Sequence, residues 1–328
     1  MQGRADMKEL SGIHHGFSRH HSKEQTASSI HSSPLTIAAT DGFPLAATLY
    51  SLLHAPIQDV VIINSGAGVR RRFYHAFALF LAERGFTVLT YDYRGIGDSL
   101  RGRLRQSKAS ISIWGQCDTT AVLDWAWNQA QHLGTKTPRI SMIGHSAGGK
   151  VVGFAPNNDK LTALVTICTP NSYWGLRRSR LRRGFALFVH GIMPAMTHLW
   201  GYFPSSLVGL GEDYPKGVAL EWARWSRYER YIRDERAQWV SNAPLYFDNL
   251  TAPILAYSIE DDFIAQEKAV LSLMKFYTNA RVHEHRHIVP AQYHIKRIGH
   301  SGFFRTVVKP VWIGLVDWLQ QQHGYSAL

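Results

Sequence analysis

The sequence predicts an α/β protein, a doubly wound and mostly parallel eight-stranded sheet interrupted by one helical insertion. Three observations carry this. Short apolar, β-branched runs alternate with segments of helical spacing. The pattern G-x-S-x-G at Gly144 to Gly148 falls between one such run and the helical segment after it. The alternation stops between Pro170 and Leu250 and then resumes, a gap of roughly eighty residues that no ordinary connection needs. At 328 residues the chain is long enough to bury one large core.

Residues 1 to 33 show little apolar periodicity and are expected to form a disordered tail, with a core over 34–169 and 251–328 and a helical lid over 170–250. LTIAA and PLAATLYSL flank the turn pair Asp41-Gly42 and predict an antiparallel strand pair. DVVIIN (Asp59 to Asn64) is a continuous apolar run, as expected of a parallel strand covered on both faces. Phe73, Phe77, Phe80 and Leu81 put a helix over Arg72 to Arg84, closed by Gly85, and FTVLTYD follows as a strand. A Trp-rich helix (Trp114 to His132), the strand RISMIG, a short helix from Ser146 and the strand LTALVTI come next. After the gap stand PILAYSI, a helix over Ile264 to Tyr277, a strand near Arg281 to Val289 and a final amphipathic helix over Phe304 to Gln322.

A hydrophobic fraction of 45% with 18% charged residues is that of a soluble globular protein. No run reaches the ~18 apolar residues of a spanning helix. The polar N-terminus lacks the apolar stretch of a secretory signal, so a cytoplasmic location is expected. Cys117 and Cys168 give no disulfide framework. The formal charge of +12 permits attraction to anions, but no nucleic-acid-reading motif accompanies the Arg runs, and no nucleic-acid partner is expected. The run Arg177 to Arg183 precedes the apolar stretch GFALFVHGIMPAMTHLW. Such a segment could touch a membrane surface, but packing over the cleft is favoured, because ligand sites are mostly apolar and closed by such elements.

The chemistry is expected at Ser146. A serine on a tight strand-to-helix turn projects its hydroxyl from the sheet edge, and the helix that follows aims free N–H groups at a developing oxyanion. Serine is a poor nucleophile at neutral pH, so a true site requires a positioned base and an acid that orients it. Asp262, in Glu260-Asp261-Asp262, follows the strand PILAYSI, and His300, in Gly299-His300-Ser301, precedes the final helix. Asp261 is the alternative acid, because adjacent carboxylates cannot be told apart in the sequence. The loop Asn64-Ser65-Gly66-Ala67-Gly68 is expected to give the second oxyanion donor, the N–H of Ala67, beside that of Ala147. Asp92-Tyr93-Arg94-Gly95-Ile96-Gly97-Asp98-Ser99 is expected to order this edge as a Gly-rich turn. His145 is expected to point away from Ser146. His283, His285 and His287 share one strand face but show no carboxylate or cysteine partner, and read as surface imidazoles. The aromatic residues of the insertion, Tyr173, Trp174, Trp200, Tyr202, Phe203, Trp222 and Trp225, suggest an apolar acyl or aryl group, with Trp174 and Trp200 expected to bind it.

NSGAG, YDYRGIGDS, GHSAGG, the EDD turn and GHSGFF, spanning about Val60 to Gly302, resemble the α/β-hydrolase superfamily, in particular its serine aminopeptidase-like and monoacylglycerol-lipase-like branch. The resemblance implies the α/β-hydrolase fold, a Ser-Asp-His triad and a helical lid after the sixth strand. The chain departs from that pattern at Asn64-Ser65, where His-Gly is commoner. The expected function is cleavage of a carboxylic ester or related acyl bond in a small molecule, through an acyl-enzyme and without metal or organic cofactor. Thioesterase, peptidase and acyltransferase activities would use the same residues. A non-catalytic binding protein on the same scaffold is the rival from another class.

Overall fold

A computed structural model describes residues 30–53, 57, 59–132, 137–177, 179–235 and 243–325. The disordered tail expected over residues 1 to 33 lies, for residues 1–29, outside them. The main sheet contains β1 (Ile30–Ala38), β2 (Pro44–Leu52), β3 (Asp59–Asn64), β4 (Thr87–Tyr91), β5 (Arg139–His145) and β6 (Ala163–Ile167). After a two-residue pair, β7 (Tyr202–Phe203) and β8 (Tyr214–Pro215), it is completed by β9 (Ile254–Ile259) and β10 (His283–Ile288). The strand order is β1-β2-β4-β3-β5-β6-β9-β10, and only β2 runs against its neighbours. Strands β3, β4, β6 and β9 are buried throughout, which is why they read as unbroken apolar runs.

The connection from β3 leads to β4 on one side of it, whereas β5 lies on the other side. This reversal opens a crevice beyond the carboxyl ends of β3 and β5, the place where open α/β sheets build their sites. Helix His75–Ala82, which follows β3, packs on the terminal helix Lys309–Gln322 through Phe77 and Phe80 against Trp312, with ring centroids 5.0 and 5.1 Å apart. That contact fixes the terminal helix, and with it the loop before it that carries His300.

β1 starts at Ile30, inside the expected tail, because backbone pairing with β2 as far as Ile30–Leu52 needs no apolar pattern on an exposed edge. Strands β6 and β9 are adjacent and parallel, so the interruption of the sequence rhythm is a crossover between neighbouring strands. It contains helices Ser179–Leu187, Met193–Trp200 and Lys216–Trp225, and the β7/β8 pair, which no sequence pattern predicts. Two-residue strands are too short to show an alternating pattern.

The Gly-rich loop after β4 is held by ion pairs. Arg94 lies between Asp118, at 2.7 Å from Nε, and Asp41, at 2.6 and 2.8 Å from the two terminal nitrogens. Burial raises the Asp118 pKa to about 6 in spite of Arg94. Asp92, fully buried, accepts hydrogen bonds from the N–H groups of Arg71 and Asp98 and joins this loop to the one after β3.

Candidate active site

Ser146 directly follows β5 with φ +51° and ψ −114°, a backbone conformation that a non-glycine residue holds only under constraint. The constraint is local. Its N–H donates to Ile167 O of β6 at 2.9 Å, and helix Ala147–Val151 begins at the next residue. The flanking glycines are required by close approach. A Cβ on Gly148 would stand 2.2 Å from Asn64 O, and one on Gly144 would stand 2.4 Å from the Gly149 backbone.

The structure brings the three expected side chains together. His300 Nε2 is 2.9 Å from Ser146 Oγ, and His300 Nδ1 is 2.8 Å from Asp262 Oδ2. The other Asp262 oxygen accepts the N–H groups of Ile264 and Ala265 at 2.7 and 2.9 Å. Burial pushes the Asp262 pKa up, but the hydrogen bond and charge of His300 and these two amides outweigh it, leaving the carboxyl below its ordinary value. Asp261 faces elsewhere, accepting the N–H groups of Ile298 and Gly299 at 3.0 and 2.8 Å. The two adjacent carboxylates therefore hold the His300 ring and the His300 loop respectively.

On the opposite side of Ser146, Gly66 to Val69 form a turn closed by Val69 N–H to Gly66 O at 3.1 Å, with Ala67 at its corner. The turn does not consume the Ala67 N–H. The N–H of Ala147 belongs to the first turn of its helix and has no carbonyl four residues back within it. Both residues line the same cleft as Ser146 and His300. Asn64, where the family resemblance breaks, is buried and spans the crevice, donating to Gly148 O at 3.2 Å and accepting from Tyr91 at 2.9 Å.

His145 makes contacts that sequence reasoning missed. The Gly66 N–H donates to the Tyr74 hydroxyl at 2.9 Å, and Tyr74 is 2.8 Å from His145 Nδ1. His145 Nε2 is 3.1 Å from the carbonyl of His300. A carbonyl only accepts, so Nε2 carries the proton and Nδ1 accepts from Tyr74. Burial, with the neighbouring His300 adding to it, pushes the His145 pKa down to about 3, so the ring is neutral. Nothing in the sequence marks Tyr74 as its partner.

The cleft has a volume of about 1020 Å³ and is roofed by the insertion through residues including Leu210, Tyr214, Val218 and Trp222. Neither Trp174 nor Trp200 lines it. Trp174 sits in a turn bonded to Ser226 O and packs on Tyr173, while Trp200 is 43% exposed at a helix end near exposed Leu199. The cleft is lined instead by the β7/β8 hairpin and the helix after it. Lys150, four residues beyond Ser146, also lines the cleft and is buried.

Two of the three histidines of β10 do meet a carboxylate. His285 Nδ1 and His287 Nδ1 are 4.0 and 3.9 Å from Glu267 Oε1, and Ser258 Oγ lies between the rings at 2.8 and 2.7 Å. Glu267 comes from the helix after β9, so the sequence spacing could not reveal it. Cys168, Asp262 and His300 form the other group among the described residues with metal-ligand spacing, but there the carboxylate and the imidazole already bind each other. Among the described residues, no helix is long and apolar enough to cross a membrane.

The Alpha/beta hydrolase family matches residues 60–304, about three quarters of the chain, and the chain belongs to that family. It is 28% identical over 127 residues to a putative carbamate hydrolase of Variovorax paradoxus, covering 38% of this chain and 42% of that protein. The chain thus spans well under half the length of the curated relatives it matches. Among solved structures it is similar to a hypothetical protein of Pseudomonas aeruginosa, with a TM-score of 0.61 at 17% identity over 90% of this chain and 95% of that one. It is also similar to a soluble variant of monoglyceride lipase from Saccharomyces cerevisiae, with a TM-score of 0.60 at 12% identity over 93% of this chain and 97% of that one. At these identities the two structures bear on the fold alone.

Proposed function

We propose that this chain is a serine hydrolase that cleaves a carboxylic ester or related acyl bond through an acyl-enzyme on Ser146. The observation that carries the reading is the unbroken hydrogen-bonded line from Ser146 Oγ through His300 to Asp262, at 2.9 and 2.8 Å. Ser146 Oγ attacks the substrate carbonyl carbon while His300 Nε2 takes its proton. Asp262 keeps the second ring proton on Nδ1 and stabilises the imidazolium that forms. The N–H groups of Ala147 and Ala67 receive the tetrahedral oxyanion. His300 then protonates the leaving alcohol, and water repeats the sequence to release the acid. The same steps serve a thioester, an amide or transfer to another acceptor, and a substrate screen separates them.

The test is labelling by a fluorophosphonate followed by peptide mass spectrometry. Modification of Ser146, absent in Ser146→Ala and slowed in Asp262→Asn, is the expected result. A wild-type protein that resists the probe at every pH would leave the rival reading, a binding protein on a hydrolase scaffold.

A further inference from the structure

Lys150 stands four residues after Ser146 on helix Ala147–Val151. Helical side chains lean toward the helix N-terminus, so its stem runs back along the turn that carries Ser146. The ammonium donates to Ser172 Oγ at 2.9 Å and to the Tyr231 hydroxyl at 3.0 Å, and both partners are buried. A lysine has three donors, so one is left over. Among the described residues no carboxylate is within ion-pair distance of it. The acids of the neighbourhood are engaged elsewhere, Asp262 with His300 and Glu221 with Ser112 at 2.5 and 3.0 Å.

The nearest charged influence on Lys150 is cationic. Burial pushes its ammonium down to about 7, and Arg177 acts in the same direction. A position that only filled space would be better served by leucine or methionine, because an enclosed ammonium without a counter-charge costs free energy. Trp222 adds a second observation. It lines the same cleft, and its indole N–H is buried with no acceptor among the described residues. The cleft wall thus holds, among the described residues, an indole N–H without an acceptor and a lysine with a donor to spare and no carboxylate beside it.

We infer that Lys150, with Ser172 beside it, is the receptor for a carboxylate carried by the substrate a few bonds from the scissile carbonyl. The inference rests on the hydrolase reading, and it narrows the substrate to acyl compounds with a second, anionic end, such as half-esters of short dicarboxylic acids.

The test compares monomethyl with dimethyl esters of succinate, glutarate and adipate on the full chain, by titrating the acid released. At the favoured length the monomethyl ester is expected to show a kcat/KM about tenfold or more above its dimethyl counterpart. In Lys150→Met that ratio should fall to about one, whatever the absolute rates become. Arg297→Ala, at the exposed rim of the cleft, should leave the ratio in place. Equal rates for the two esters at every length in the wild type would overturn the inference, and so would a preference that survives Lys150→Met but disappears in Arg297→Ala. If Lys150→Met does not fold, the wild-type ratio and the quenching of dimethyl ester turnover by free glutarate decide. Turnover of the dimethyl esters and labelling of Ser146 report separately on the hydrolase reading, so the two can fail independently.

Discussion

Asp261 and Asp262 are adjacent in the chain and grip two different parts of one loop. Asp262 holds the ring of His300, and Asp261 holds the backbone two residues and one residue before it. The distance between acid and base is therefore set by a dipeptide and its turn. Asp262→Asn should lower turnover by about four decades, because the amide no longer fixes the productive tautomer. Asp261→Asn should cost far less in rate but about 1 kcal/mol in stability, since a charged acceptor of two amides becomes neutral. Steady-state kinetics and melting on both variants check this, and the reverse ranking would move the acid to Asp261.

Ser146→Ala should abolish probe labelling and reduce ester turnover by about four to six decades while the melting temperature stays near that of the wild type. A variant retaining a tenth of the activity would remove Ser146 from the chemistry.

Trp222→Ala should change the preference among acyl chain lengths by about 1–3 kcal/mol, the scale of apolar pocket contacts. Trp174→Ala and Trp200→Ala should not, because neither side chain lines the cleft. A series of aryl esters on the three variants gives the answer, and a shift confined to Trp200→Ala would show that the insertion closes differently in solution.

Stability should depend on Asp59 at acid pH. Burial raises its pKa, but hydrogen bonds from His323, Arg139 and Tyr325 prevail and lower it from 3.8 to about 2. A depressed carboxyl contributes stability that is present above the unfolded value and lost as pH falls through the folded one. Between about pH 5 and pH 2 the wild type should lose roughly 2 kcal/mol more than Asp59→Asn, measured by urea unfolding.

The sheet and the line Ser146, His300, Asp262 were legible because each depends on local pattern: buried strands read as apolar runs, and the serine falls between a strand and a helix. What was not legible depends on contacts made across the fold. Trp174 and Trp200 drew attention as large apolar residues in an irregular segment, but no periodicity there says which ring turns toward the cleft. Trp222 stood out only as one of several aromatic residues in that segment, and Tyr214 carried no distinguishing mark. Glu267 reaches His285 and His287 from another element. Lys150 did leave a trace, as a lone charge within the apolar stretch Ala147 to Phe154.

Removing the Tyr74 hydroxyl should be felt on both sides of the site. Tyr74→Phe leaves the Gly66 N–H and His145 Nδ1 without partners, a cost of about 1–3 kcal/mol in stability. Turnover should fall with it, and a melting scan beside kcat separates the two effects. A variant with wild-type stability would show that water fills the gap.

That same file of atoms, from Gly66 through Tyr74 and His145 to the His300 carbonyl, defines what can be exchanged between this protein and its relatives. A loop transplanted after β3 arrives without the hydroxyl and the imidazole that brace it against the His300 loop in this protein. The portable module is discontinuous: residues 64–69 travel with Tyr74 and His145, and a chimera that moves the loop alone inherits a misaligned partner for its serine.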